Sequence, residues 1–263
     1  MKPIHHALVS ARLFGGEPEP YLPVHNAFDM SKAALPDMRH RAALHSVDHG
    51  TSVMKLIFDQ QIGAASLEAV CIQHVNDDQG FDVRLDHWLD ECEVPSFARV
   101  RRKPMASLEG FLSDPEQAAA DRWGGHPEDF ADICAYYRLP QRVSEHPLAP
   151  AVSRNAFGIF FSEMAFGPAR KITLKSGREK YVPVRDIGEC LAIAHFGRIP
   201  TLQDVFQGMA KKDWMLGARV ARSRKKRCAR AGRDDLFSEN MDGLDSGTAL
   251  IVDESALTEV LRD

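Results

Sequence analysis

The sequence has no run of about eighteen apolar residues, so it predicts no membrane span. Its start, Met1-Lys2-Pro3-Ile4-His5-His6, offers no apolar stretch of the secretory kind. Cysteine is scarce and scattered. Cys71, Cys92, Cys134, Cys190 and Cys228 show no CxxC spacing, which argues against a disulfide scaffold and a thiolate metal knuckle. Isolated cysteines of this kind pack as small apolar side chains in a reducing compartment, so the expected location is the cytoplasm. Familiar catalytic signatures are missing too. No histidine is followed directly by aspartate, and there is no H-E-x-x-H helix, G-x-S-x-G elbow or Walker A loop. Nor is there a large excess of one charge: 33 Lys and Arg stand against 37 Asp and Glu.

What is present is a globular composition, 263 residues with 44% hydrophobic, enough for two small domains of about 100–150 residues each. Histidine is unevenly placed. Eight of the eleven lie in the first 87 residues: His5, His6, His25, His40, His45, His49, His74 and His87.

Laying the halves over one another exposes a repeat. Phe14-Gly15-Gly16-Glu17-Pro18-Glu19-Pro20-Tyr21 parallels Trp123-Gly124-Gly125-His126-Pro127-Glu128-Asp129-Phe130. Gly-Gly ends a helix by supplying positive φ, and Pro-Glu starts the next. The segment from His49-Gly50 to Phe58 parallels Phe157-Gly158 to Phe166, and Asp78 to Phe81 parallels His195 to Arg198. The second copy carries an insertion, Lys171 to Val184, whose alternation around Ser176-Gly177 predicts a β-hairpin. The expected fold is mainly α: a first copy at 1–97 and a second at 107–210 with the hairpin. A basic segment and acidic tail follow at 211–263. The copies are expected to pair as an intramolecular pseudo-dimer.

On a helix, residues four apart share a face. His45 and His49 are so spaced, as are His74 and Asp78, and His25, Asp29 and Lys32 follow an i, i+4, i+7 course. His40 lies just upstream of His45. Imidazole and carboxylate from several helices make a ligand set for Zn, Mn or Fe. The candidate ligands are His25, His40, His45, His49, His74 and Asp78, with Asp29, Lys32 and Asp77 as groups that orient them. A small anionic ligand is the other expectation for such a cluster. With one coordination position open, the metal would activate water for hydrolysis. Each imidazole taken singly also serves as a cap or a carboxylate partner. In the second copy the matched positions are Cys134, Leu148, Ser153, Phe157, Leu191 and His195, so all five imidazoles are replaced while the glycines and aromatics recur.

One family shares the pattern of the first copy. His6-Ala7-Leu8, Gly15-Gly16, Pro18-Glu19, Tyr21-Leu22-Pro23, His25, Phe28-Asp29, Ser31-Lys32, Arg39-His40-Arg41-Ala42, His45, Gly50, Gln73-His74-Val75 and Asp78 together resemble a small uncharacterised domain family of bacteria and phages. The resemblance spans about residues 4–92 and, more weakly, 123–206. It implies a tandem duplication of a single domain and no particular activity. The family pattern has a glutamate where this chain has Lys55.

Residues 210–233 hold ten Lys and Arg against Asp213 alone, and their alanines predict a helix. Lys211, Lys212, Arg219, Arg222, Arg224, Lys225, Lys226 and Arg227 form a candidate nucleic-acid surface, with Trp214 placed to stack on a base. The alternative expectation is therefore a non-enzymatic accessory factor binding nucleic acid or protein through 211–233. The acidic tail beyond it is a competing partner for the same cations.

Overall fold

The computed structural model describes residues 2–59, 61–62, 67–99 and 106–217. The fold is mainly α and built as two repeated units. The first runs α1 (Pro3–Phe14), α2 (Leu22–Asp29), two 3-10 turns (Met30–Ala33 and Met38–Ala43), α3 (His49–Phe58), α4 (Leu67–Gln79), α5 (Leu85–Leu89) and α6 (Ser96–Arg99). The second runs through a 3-10 turn (Ala106–Leu108), α7 (Gly110–Ser113), α8 (Pro115–Trp123), a 3-10 turn (Pro127–Phe130), α9 (Ala131–Val143), α10 (Ala149–Ser153) and α11 (Ala156–Phe166). After a hairpin of β1 (Ala169–Thr173) and β2 (Glu179–Pro183) come α12 (Val184–Phe196), α13 (Leu202–Phe206) and a last 3-10 turn (Asp213–Leu216).

The recurrent sequence signals occupy the same structural places. α1 stops at Phe14 because Gly15 and Gly16 take φ of +86° and +79°; α8 stops at Trp123 with Gly124 and Gly125 both at +86°. Gly50 and Gly158 meet a different demand, close backbone approach. A Cβ on Gly50 would sit 1.8 Å from the Leu44 carbonyl oxygen, and one on Gly158 would sit 1.9 Å from that of Ser153. α3 is capped by Asp48, whose carboxylate accepts from the His49 amide at 2.7 Å; α11 is capped by Asn155.

The insertion is the expected antiparallel hairpin. Arg170 pairs with Val182 and Ile172 with Lys180; Ile172 and Val182 are buried while most of their neighbours along the strands are not. Within the core, Trp88, Phe28, Tyr137, Phe130, Phe196 and Phe206 are fully buried. Cys71, Cys92, Cys134 and Cys190 are all buried, and burial pushes the first three thiols up to about 12, so they are packing residues.

Two expectations change here. His45 and His49 do not share a helix face, because the Asp48 cap starts α3 at His49 and leaves His45 in the preceding turn. The described part of the basic segment is not an α-helix but the 3-10 turn Asp213–Leu216; the residues from 218 onward, with the rest of the expected basic helix and the acidic tail, lie outside the described residues.

The copies touch through α3 and α9, and Arg39 Nη1 donates to the Phe206 carbonyl at 3.2 Å. The chain after α13 then returns to the first copy. The Ala210 amide donates to the Glu91 carbonyl at 2.7 Å, and Arg41 Nη1 donates to that of Met215 at 3.3 Å. Trp214 packs on Trp88 with ring centres 4.7 Å apart, which spends its ring on the protein's own core rather than on a base.

Candidate metal centre

Four side chains of the first copy converge. Asp29 closes α2, His45 stands in the turn before α3, and His74 and Asp78 project from one face of α4, a turn apart. One donor atom from each lies within 4.8 Å of all the others, and all four residues are buried. His74 Nε2 is 3.2 Å from His45 Nε2, which is 3.5 Å from Asp78 Oδ2 and 3.7 Å from Asp29 Oδ1. A tetrahedral ion with bonds of about 2.0–2.1 Å sets its donors about 3.3 Å apart, so these spacings suit one ion. The cluster can hold a metal ion.

The surrounding groups fix how the ligands present themselves. His25, from α2, has its Nδ1 at 2.9 Å from His74 Nδ1 and its Nε2 at 2.9 Å from Ser10 Oγ. Ser10 donates to Gln73 Oε1 at 2.6 Å, and Gln73 Nε2 donates to Asp77 Oδ2. Burial pulls His25 down to about 3 and His74 well below its ordinary range, so both rings are neutral, with one N–H each. The proton directions then follow in order. Ser10 gives its hydrogen to Gln73, so it accepts from His25 Nε2. His25 Nδ1 therefore accepts from His74 Nδ1–H. That leaves the lone pair of His74 Nε2 facing His45, the tautomer a metal ligand needs.

Charge is balanced around the same point. Burial by itself would raise Asp78, but hydrogen bonds from His45 and His6 and the Arg41 guanidinium, Nη2 at 3.1 Å, hold it far below the usual carboxylate range. Burial by itself would lower His6, but Asp77 at 3.2 Å and Asp78 at 3.4 Å outweigh it and the net direction is up. His45 is lowered by burial against the opposing pull of Asp78. Lys32 pairs with Asp29 at 2.6 Å.

The expected residues divide into three groups. His45, His74 and Asp78 meet as candidate donors. Asp29, expected to orient ligands, stands among the donors instead, because α2 ends there and aims it inward. His25, Lys32 and Asp77 sit one contact further out. His40 and His49 do not join as donors. His40 sits in the 3-10 turn with Nδ1 2.5 Å from the Asp37 carbonyl, meets only the edge of the His45 ring, and is pulled by burial to about 4. His49 occupies the first turn of α3, fully enclosed, with Nδ1 unpartnered and its pKa pulled by burial to about 4. Four contributors were not among the candidate site residues: His6, Ser10, Arg41 and Gln73. His6 and Ser10 are four apart on α1, as Gln73 and Asp77 are on α4, so the spacing that flagged His74 and Asp78 also marks these pairs.

Of the proposed nucleic-acid residues, Lys211 is exposed and Lys212 lies 3.4 Å from Glu91. Arg219, Arg222, Arg224, Lys225, Lys226 and Arg227 lie outside the described residues. Among the described residues no helix is long and apolar enough to cross a membrane.

Fold and site together define a mainly helical, twofold-repeated protein with a buried imidazole–carboxylate cluster in one repeat. The chain belongs to the family described as Domain of unknown function (DUF6915), whose model matches residues 1–98 and again residues 114–215. No curated protein and no solved structure matches it.

Proposed function

We propose that the first repeat binds one divalent transition-metal ion through Asp29, His45, His74 and Asp78. The observation that carries this reading is the mutual spacing of four buried donors, with His74 turned by His25 so that its lone pair faces the others. Zinc fits this mix of two imidazoles and two carboxylates, with Mn and Fe next. Four protein donors make a closed, structural centre in which metal binding adds directly to folding stability. Metal-assisted hydrolysis is the finer reading and requires one donor to give way to water. Asp29 is the candidate, since it is the most exposed of the four at 8% and already shares Oδ1 with Lys32.

Titration of the metal-stripped protein with zinc, followed by calorimetry, tests the reading. One site per chain that disappears in His45→Ala and in His74→Ala supports it. Absence of any site in the wild-type chain, confirmed with manganese and ferrous iron, overturns it.

A further inference from the structure

The matched interior of the second repeat carries the opposite charge. The register that places His45 opposite Ser153 also places Ser46 opposite Arg154, and Asp29 falls opposite Arg138. Arg154, at the end of α10, is only 6% exposed. Its Nη1 donates to His195 Nδ1 at 2.9 Å and its Nη2 to Gln141 Oε1 at 2.8 Å, while its buried Nε has no partner. Among the described residues no carboxylate lies within ion-pair distance of it. Arg138 has already committed its guanidinium to Glu116, with Nη1 at 2.8 Å from Oε2. The other groups beside Arg154 are neutral: burial pushes the Cys134 thiol up to about 12 and raises the Tyr137 phenol. A guanidinium enclosed among neutral partners bears the full cost of desolvation without an opposite charge to offset it.

From this geometry we infer that the second repeat is an oxyanion site, in which Arg154, oriented by Gln141 and His195, takes a small phosphate- or carboxylate-class ligand. The planar guanidinium offers such an oxyanion charge-assisted hydrogen bonds, and Nε is the donor still uncommitted. The site thus differs from that of the first repeat in the sign of what it receives. One takes a cation between carboxylates and imidazoles, the other an anion beside a guanidinium.

The test is thermal unfolding of the full chain with increasing inorganic phosphate, at constant ionic strength held by chloride. Wild-type protein is expected to gain melting temperature with phosphate in a saturating manner, and Arg154→Gln to lose that gain. Because Arg154→Gln removes a buried group, Gln141→Glu provides a second arm that leaves the guanidinium in place. It supplies an internal carboxylate 2.8 Å from Arg154, so it should weaken phosphate binding at least tenfold while raising the melting temperature in chloride alone. Metal content, measured on the same samples, should be unchanged in both variants. A wild-type chain indifferent to phosphate, or a Gln141→Glu chain that responds like wild type, overturns the inference.

Discussion

The two repeats share a backbone plan and differ in what they put at its centre. Both stop their opening helix with Gly-Gly at positive φ, and both seat a glycine against a carbonyl one turn before or within the first turn of the central helix. At the positions that hold His25, His45, His74 and Asp78 in the first repeat, the second has Cys134, Ser153, Leu191 and His195. Cys134 and Leu191 are plain core, and the Ser153 hydroxyl donates to the Tyr137 carbonyl at 3.1 Å. The fold therefore does not need the imidazoles. One repeat fills its interior mostly with apolar packing and aromatic contacts around the single buried guanidinium of Arg154, whereas the other buries six imidazoles and two carboxylates, an expensive arrangement unless something ties them together.

Stripping metal should separate the two repeats most sharply. If the first repeat uses an ion as part of its core, chelation should lower its unfolding free energy by about 4 kcal/mol or more when free metal had stood a thousandfold above Kd. Hydrogen exchange should then locate the loss in α2 and α4 and leave α9 and α12 protected. Next in size are Gly50→Ala and Gly158→Ala. Both force a Cβ into a carbonyl oxygen, and both should cost about 3 kcal/mol in denaturant melts, by similar amounts in the two repeats. Unequal costs would show that the repeats do not share this contact energetically.

A pH measurement sharpens the difference between donors and bystanders. His49 is folded as a neutral ring with its pKa lowered from 6.5 to about 4. Between those values the unfolded chain binds a proton that the folded chain refuses. Stability is therefore full above pH 6.5 and falls as the pH drops toward 4, by about 3 kcal/mol for a fully enclosed ring. His49→Leu should flatten that part of the acid limb in melts at stepped pH and leave metal content unchanged. The smallest expected effect is at Lys55, whose exposed ammonium pairs with exposed Glu68 at 2.5 Å. Lys55→Ala should alter stability by no more than about 0.5 kcal/mol and leave bound metal unaltered.

Much of the architecture is written locally. Gly15-Gly16 and Gly124-Gly125, the proline at the first turn of α1, α2 and α8, and the alternating strands around Gly177 all act over a few residues, so pattern reading finds them. The site is written less locally. His74 and Asp78 lie on one uninterrupted helix and are found by spacing. His45 and His49 have the same spacing, but the Asp48 cap between them ends the face they would share. Spacing pairs His6 with Ser10 on α1, but that α1 and Arg41 of the turn at 38–43 come against α4 is a long-range arrangement that spacing along one segment does not encode. The basic run beyond residue 217 illustrates the opposite limit: composition marks it plainly, while Trp214 beside it turns out to belong to the core of the first repeat.

The proposed asymmetry between the repeats is one ion per chain, held by the first and not by the second. Metal stoichiometry by mass spectrometry tests it directly, measured on the wild-type chain, His74→Ala and Ser153→Ala after equilibration with zinc and removal of the excess. One ion per chain is expected in the wild type, none in His74→Ala and one in Ser153→Ala. No bound ion in the wild type, or two, or an ion retained by His74→Ala and lost from Ser153→Ala, would contradict it.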